Sequence, residues 1–334
     1  MNTANFEHKM AAHCESGTVT GLLNYNGMQI SEPMVFGISA GIFFAYLQGP
    51  KLPFPLFVHR SKPGSIRKKI RKRLDVAFKE IKNRDIDKAT HVLDTLIARK
   101  IPTAVQVDMF YMDYIPQYMK VHFNGHYVTV VGKENSTYTV SDCYYPQLAN
   151  ISIESMRKAR SARGDLAPRG LLFYATVVPK EVDLATPIRK GIKEAARNMV
   201  KLPVPFIGVK GIRMFARKIV DWPSLARNEG HLSDQVMDIS ANLEDKGTGG
   251  AGFRFMYASF LQEAAKILND TALADMARQM MENGDRWREL SLHAARMGKY
   301  HEFSKEKFKE LQDLIFARAD TEEKLFSQLL KMIS

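Results

Sequence analysis

Strand signals run through the first 180 residues of this 334-residue chain and then stop. Thr103–Phe110, His126–Val131, Tyr138–Ser141 and Leu171–Val178 are β-branched and aromatic runs separated by turn residues, with Lys133–Ser136 as a hairpin-like break. From about Lys180 onward only helical periodicity remains, over Pro187–Met199, Gly211–Val220, Leu232–Leu243, Ala251–Leu268, Thr271–Leu290 and Lys305–Leu330. A chain patterned this way cannot alternate strand and helix throughout. It must build a mixed α+β domain, expected over residues 1–180, and an all-α domain over 181–334. No internal repeat or low-complexity tract complicates that division.

The first part also carries helix signals. Ser16–Tyr25 reads as a short helix stopped by Asn26-Gly27. Ser31-Glu32-Pro33 caps the apolar segment Met34–Leu47, with Pro33 at a first helical position. Lys51–Arg60, with two prolines, reads as loop or edge. Ile66–Lys82 shows helical spacing with a strongly basic opposite face, and Asp85–Arg99 is a further helix.

At 45% hydrophobic and 25% charged, the chain has the balance of a soluble globular protein and can bury a core without metal or disulfide staples. Two cysteines, Cys14 and Cys143, argue for a reducing compartment. The start has no apolar core behind basic residues, as a signal peptide requires. Met34–Leu47 is glycine-broken and shorter than the roughly 18 residues of a membrane span. The expectation is a cytoplasmic protein with no membrane span.

Cys14 sits just before the first apolar helix, where backbone N–H groups and the helix dipole stabilise a thiolate. A lone cysteine is more often a small buried apolar residue. Two further residues change the balance. His126 opens one strand, and Asp142 follows one hairpin later in Thr139-Val140-Ser141-Asp142. Adjacent antiparallel strands can hold them side by side, the carboxylate orienting the imidazole while its other nitrogen faces the thiol. That chain order is the one found in papain-like enzymes.

His13-Cys14-Glu15-Ser16-Gly17, Ser31-Glu32-Pro33 and Phe36-Gly37 together resemble the N-terminal domain of butirosin biosynthesis protein H. The Gly125-His126-Tyr127-Val128 and Asp142 region is similar to C39 bacteriocin-processing peptidases. Gly247-Thr248-Gly249-Gly250-Ala251-Gly252-Phe253-Arg254, with Tyr257 and Phe260-Leu261, resembles the helical domain that accompanies the first. The resemblance implies a papain-like cysteine protease fold followed by an all-α domain. It further implies an acyltransferase that moves an acyl or aminoacyl group from an acyl carrier protein thioester to a small-molecule amine or hydroxyl. Cys14 would be the nucleophile, His126 the general base and acid, and Asp142 the orienter. No bound cofactor is implied, since phosphopantetheine arrives on the carrier. C39 peptidases place a glutamine six residues before the cysteine, and here that position is His8.

His13, Glu32, Arg254 and Tyr257 are candidate substrate contacts, with a helix-capping role as the plain alternative for Glu32. The Gly247–Gly252 run lacks the strand and Lys-Ser/Thr of a phosphate loop, and reads either as a flexible connection or as a lid. Cys143, next to Asp142, should point to the opposite strand face and pack in the core. The chain carries +12 at pH 7, and Arg60–Arg73 alone holds eight Lys/Arg and no acid. Arg157–Arg169 and Arg189–Lys218 are further basic clusters, and a solvated face is the usual role of such residues. No nucleic-acid reader motif accompanies them, whereas the acyl carrier protein that the resemblance implies is small and acidic, and its docking at Lys68, Lys69 and Lys72 would fit the implied reaction. The nine histidines are scattered, and the one close pair, His122 and His126, falls on loop and strand, a poor metal pattern. An exposed helical face could support a homodimer. Two rival readings stand beside the transferase: a C39-like cysteine peptidase or amidohydrolase using the same three residues, and a non-enzymatic carrier- or nucleic-acid-binding protein.

Overall fold

A computed structural model describes residues 2–333. In chain order its elements are β1 (Asn2–Thr3), α1 (Cys14–Tyr25), α2 (Glu32–Ile38), β2 (Ile42–Leu47), β3 (Leu56–Arg60), α3 (Ser65–Arg73), β4 (Ala77–Ile81), α4 (Ile86–Ala98), β5 (Thr103–Val107), β6 (His126–Glu134), β7 (Thr137–Ser141), β8 (Ala149–Ser152), α5 (Ile153–Ser161) and β9 (Leu172–Val177). Among the described residues, the α-helices that follow are α6 (Ala185–Val200), α7 (Gly208–Ile219), α8 (Trp222–Leu225), α9 (Glu229–Glu244), α10 (Arg254–Leu268), α11 (Thr271–Tyr300) and α12 (Lys305–Met332). The chain thus has the expected mixed first part and helical second part. Among the described residues, no helix is long and apolar enough to cross a membrane.

Two compact units are present. One comprises the chain through Val35 together with Ile66–Val182, and the other comprises Phe36–Ser65 together with the chain from Asp183 onward. The segment Phe36–Ser65, expected within the first domain, belongs with the helices.

The first unit is built on an antiparallel sheet in the order β4-β9-β5-β6-β7-β8, with β1 also paired to β6. Val105, Val107, Val128, Val130, Val140 and Leu172 form a buried cluster with Leu93, Leu96 and Ile97 of α4 and Met156 and Ala159 of α5. Thr129, which alternates with Val128 and Val130, borders α1 instead, as a period of two residues requires.

Two expected helices are shorter than their apolar patterns. Met34–Leu47 divides at Ala40 (φ 49°) into α2 and the β-branched and aromatic strand β2. Ile66–Lys82 divides at Asp75 (φ 52°) into α3 and the edge strand β4, whose pairing with β9 overrides its helical spacing. Short apolar runs fit either period, and only long-range partners decide between them.

In the second unit, β2 and β3 form a two-stranded sheet, so Lys51–Arg60, read as loop or edge, is a loop followed by an edge strand. Its aromatic residues carry it into the helical core. Phe44 stacks on Phe57 at 5.8 Å, Phe57 on Phe215 at 5.0 Å, and Tyr46 on Phe215 at 5.5 Å. The Trp222 indole N–H donates to the Tyr46 hydroxyl at 3.2 Å, satisfying both buried polar groups.

Candidate active site

Cys14 is the first residue of α1. His13 has the extended backbone of an N-cap, and its Nδ1 accepts from Ser16 N–H at 3.3 Å, which starts the helix at the cysteine. Glu32 reaches across to this entrance. Its carboxylate accepts from Ala12 N–H at 2.8 Å, His13 N–H at 2.9 Å and the Ser16 hydroxyl at 2.7 Å. Burial raises its pKa, and the three donors counteract that rise. The Glu32 carboxylate thus ties together the residues on both sides of Cys14. The N-cap hydroxyl of α2 comes instead from Ser31, which accepts from Met34 N–H at 3.1 Å.

His126 opens β6, and Asp142 follows the last residue of β7. The two meet at 2.9 Å, His126 Nε2 to Asp142 Oδ2, with both side chains 1% exposed. Asp142 accepts two further bonds, from the Tyr114 hydroxyl to Oδ2 at 2.8 Å and from Tyr144 N–H to Oδ1 at 3.2 Å. The Tyr144 ring lies nearly parallel to the imidazole at 5.6 Å. Burial works against the charged imidazole, yet the Asp142 charge and hydrogen bond, with Cys14 adding to them, raise the His126 pKa above its ordinary value. Burial likewise opposes the Asp142 anion, but His126 and the other donors hold its pKa below the usual range. His126 Nδ1 is buried with no partner at hydrogen-bond distance. The Cys14 thiol, buried at 3.9 Å from the Gly125 carbonyl oxygen, is close enough to contribute to the stability of the imidazolium. The structure thus brings Cys14, His126 and Asp142 together within the first unit.

His8, at the position where C39 peptidases carry glutamine, has both ring nitrogens engaged. Nε2 donates to the Tyr145 carbonyl oxygen at 2.9 Å, so in the neutral ring Nδ1 accepts from the Ser141 hydroxyl at 2.8 Å. It braces the chain on both sides of Asp142.

Other expectations are revised. Cys143 packs in the core as expected, against α1, but from the turn after β7 rather than from a strand. A Cβ on Gly17 would fall 2.5 Å from Ala11 Cβ and 3.3 Å from Cys143 Cβ, so only glycine admits this approach. Burial, followed by the Cys14, Asp142 and Glu32 charges, pushes the Cys143 thiol well above its ordinary pKa, which keeps it protonated and unreactive. A cavity of about 400 Å³ lies beside Gly17, Gly21, Thr129 and Cys143, but neither Cys14, His126 nor Asp142 lines it. It is a separate void along α1.

Arg254 and Tyr257, expected to touch substrate, are in the helical core. Arg254 is fully buried and donates in bidentate fashion to Glu322, at 2.7 and 3.0 Å, and to the Gly252 carbonyl oxygen at 2.7 Å. Glu322 also accepts from Trp287 Nε1 at 2.7 Å and Asn283 Nδ2 at 3.2 Å, so every partner is used internally. Tyr257 packs between Phe260 and Phe326. The glycine-rich segment is not a loose connection: Gly249 to Phe253 all have positive φ, a left-handed turn open to Gly249, Gly250 and Gly252 but strained at Ala251 and Phe253. Thr248 Oγ1 ties it to the end of α9, donating to Leu243 and accepting from Gly250 N–H.

Of the basic residues on α3, Lys68, Arg71 and Lys72 are exposed and Lys69 is half-buried, while Arg67 turns inward to Glu80 at 2.6 Å and over the Phe173 ring. The cluster on α5 is partly neutralised, because Arg157 pairs with Asp87, Lys158 with Glu154, and Arg160 is buried on backbone carbonyls. His122 pairs with Asp108 at 2.8 Å and stacks on Phe110. Among the described residues, no group of three or more His, Cys, Asp or Glu side chains is placed to hold a metal ion.

Residues 13–143 match the N-terminal domain of butirosin biosynthesis protein H, and residues 154–329 match a domain of unknown function, DUF4872. With a cysteine-bearing helix packed on the strand that opens with the histidine, and the aspartate just after the neighbouring strand, this fits a papain-like cysteine enzyme. The chain belongs to the butirosin biosynthesis protein H-like family, its second half to the DUF4872 family. Among solved structures, a chain described as a C39-like peptidase from Bacillus anthracis is similar at 10% identity and a TM-score of 0.34, over 52% of this chain and 96% of its own. No curated protein matches the chain.

Proposed function

We propose that the protein is a cytoplasmic, cysteine-dependent acyltransferase that moves an acyl or aminoacyl group from an acyl carrier protein thioester to a small-molecule amine or hydroxyl. The observation that carries this reading is the buried 2.9 Å His126–Asp142 pair beside a cysteine at a helix N-terminus, within a segment matching butirosin biosynthesis protein H.

Cys14, as the thiolate of an ion pair with His126, attacks the carrier's thioester carbonyl. The tetrahedral intermediate collapses, the phosphopantetheine sulfur leaves and takes the proton from His126, and an acyl-Cys14 thioester remains. The acceptor amine or hydroxyl then attacks this carbonyl and gives its proton to His126, and collapse returns the Cys14 thiolate. Exchanging one thioester for another is nearly isoenergetic, so the chain's task is positioning and charge stabilisation. The Glu32 clamp and the donors on Asp142 supply that positioning. Phosphopantetheine enters with the donor, and the exposed Lys68, Arg71 and Lys72 side chains, with Lys69, form a surface that suits an acidic carrier.

The test is an acceptor partition assay with acyl-carrier thioesters, comparing wild type, Cys14→Ala and His126→Gln. Acyl transfer to added amines in the wild type alone supports the reading. Thioester or peptide hydrolysis that added amines cannot divert contradicts it and favours a hydrolase.

A further inference from the structure

Tyr114 lies in the connection between β5 and β6, outside every motif described above. Its hydroxyl donates at 2.8 Å to Asp142 Oδ2, the same oxygen that takes the His126 Nε2 proton at 2.9 Å. Tyr144 N–H occupies Oδ1. The Tyr145 ring packs edge-on against the Tyr114 ring at 5.3 Å and fixes its orientation. We propose that Tyr114 is a positioning residue whose phenol, by sharing Asp142 Oδ2 with His126, sets how tightly the imidazole holds its proton. The inference rests on the Cys14–His126–Asp142 reading.

Two donors on one carboxylate oxygen compete for its charge. Without the phenol, Oδ2 would be a stronger acceptor for His126 alone and the imidazolium would be more stable. Such an imidazolium gives its proton less readily to the departing phosphopantetheine sulfur. The phenol therefore keeps Asp142 an anion without letting the pair trap the proton. The Tyr114 hydroxyl itself stays protonated, because burial and then the Asp142 charge push its pKa well above the ordinary value. The other titratable groups facing the pair are Cys14 from α1 and Cys143, Tyr144 and Tyr145 from the turn after β7.

The experiment follows alkylation of Cys14 by iodoacetamide as a function of pH in the full chain. The alkaline inflection, where His126 loses its proton, is identified by its loss in His126→Gln. Tyr114→Phe should raise that inflection by about 0.5–1 pH unit. Replacing Tyr114 by 3-fluorotyrosine, a more acidic phenol of nearly the same shape, should lower it by a few tenths of a unit, on the order expected for a modest change in one hydrogen bond. Loosened packing would move both variants in the same direction, so opposite shifts support the phenol's electrostatic role. An unmoved inflection, or two shifts of the same sign, overturns it. If the phenylalanine variant does not fold, the fluorotyrosine shift decides alone. Because iodoacetamide needs no carrier, failure of acyl transfer leaves this result readable. A wild-type profile without a His126-dependent inflection overturns the pairing itself and the Tyr114 proposal with it.

Discussion

Replacing Glu32 by alanine removes the acceptor for three donors that define the entrance to α1: Ala12 N–H, His13 N–H and the Ser16 hydroxyl, all within 2.9 Å. A hydrogen bond to a charged group contributes about 1.5–3 kcal/mol net, and a buried donor left unpaired costs about 1–3 kcal/mol. Ala12 is only half-buried, so water can replace part of the loss. Relief of the desolvated carboxylate offsets another part, as the raised pKa of Glu32 shows. The expected net cost is about 3 kcal/mol, roughly a hundredfold in the folding equilibrium. Glu32→Gln keeps the shape and one carbonyl acceptor, and should lose about half as much. Urea unfolding gives the stability change, and iodoacetamide alkylation at neutral pH reports whether Cys14 still faces His126. Both variants should lower the midpoint, alanine more than glutamine, with alkylation slowed about tenfold or more in Glu32→Ala. A stability change below about 0.5 kcal/mol with unchanged alkylation would refute the clamp, since such a value is ordinary for a surface position.

Three further outcomes are expected. Arg254→Met should cost the second unit about 3–5 kcal/mol, because Glu322 would keep a buried charge without its partner, and the double variant Arg254→Met/Glu322→Gln should recover part of that loss in urea titrations. His59 is buried beside the Arg254, Arg60 and Lys246 charges; burial first, then those charges, lower its pKa to about 3. The unfolded chain therefore binds the proton first. Stability contributed by neutral His59 is complete above about pH 6.5 and falls by about 1.4 kcal/mol per unit toward pH 3, or about 2 kcal/mol at pH 5. His59→Phe should flatten that acid limb, and an unchanged limb would show that His59 does not titrate this way. Neutralising Lys68, Lys69 and Lys72 together should weaken carrier binding about tenfold at low salt and little at high salt. Equal binding at both salts would exclude this face.

The motif-bearing part of the site was legible because its residues sit where local chemistry marks them. Cys14 begins an apolar helix, His126 begins a strand, and Asp142 directly follows the next strand of the same hairpin. Their partners carry no such marks. Tyr114 lies in an irregular connection and His8 in the strand-free segment before α1; each reaches the site through side-chain contacts that only the folded chain creates. Arg254 shows the converse error. It follows a glycine-rich motif and looks functional, yet its charge is matched by Glu322, 68 residues away on α12. Phe36–Ser65 joins the second unit for a related reason: its aromatic strand residues find partners on α7 and α11, far along the chain.

Whether Cys14 carries the acyl group is best tested by intact-protein mass spectrometry after mixing with an acyl-carrier thioester and no acceptor. The account predicts a mass increase equal to the acyl group on the wild type, absent in Cys14→Ala and discharged by an amine acceptor. An unmodified wild-type mass with every acyl carrier tried, or an adduct that persists in Cys14→Ala, would contradict it.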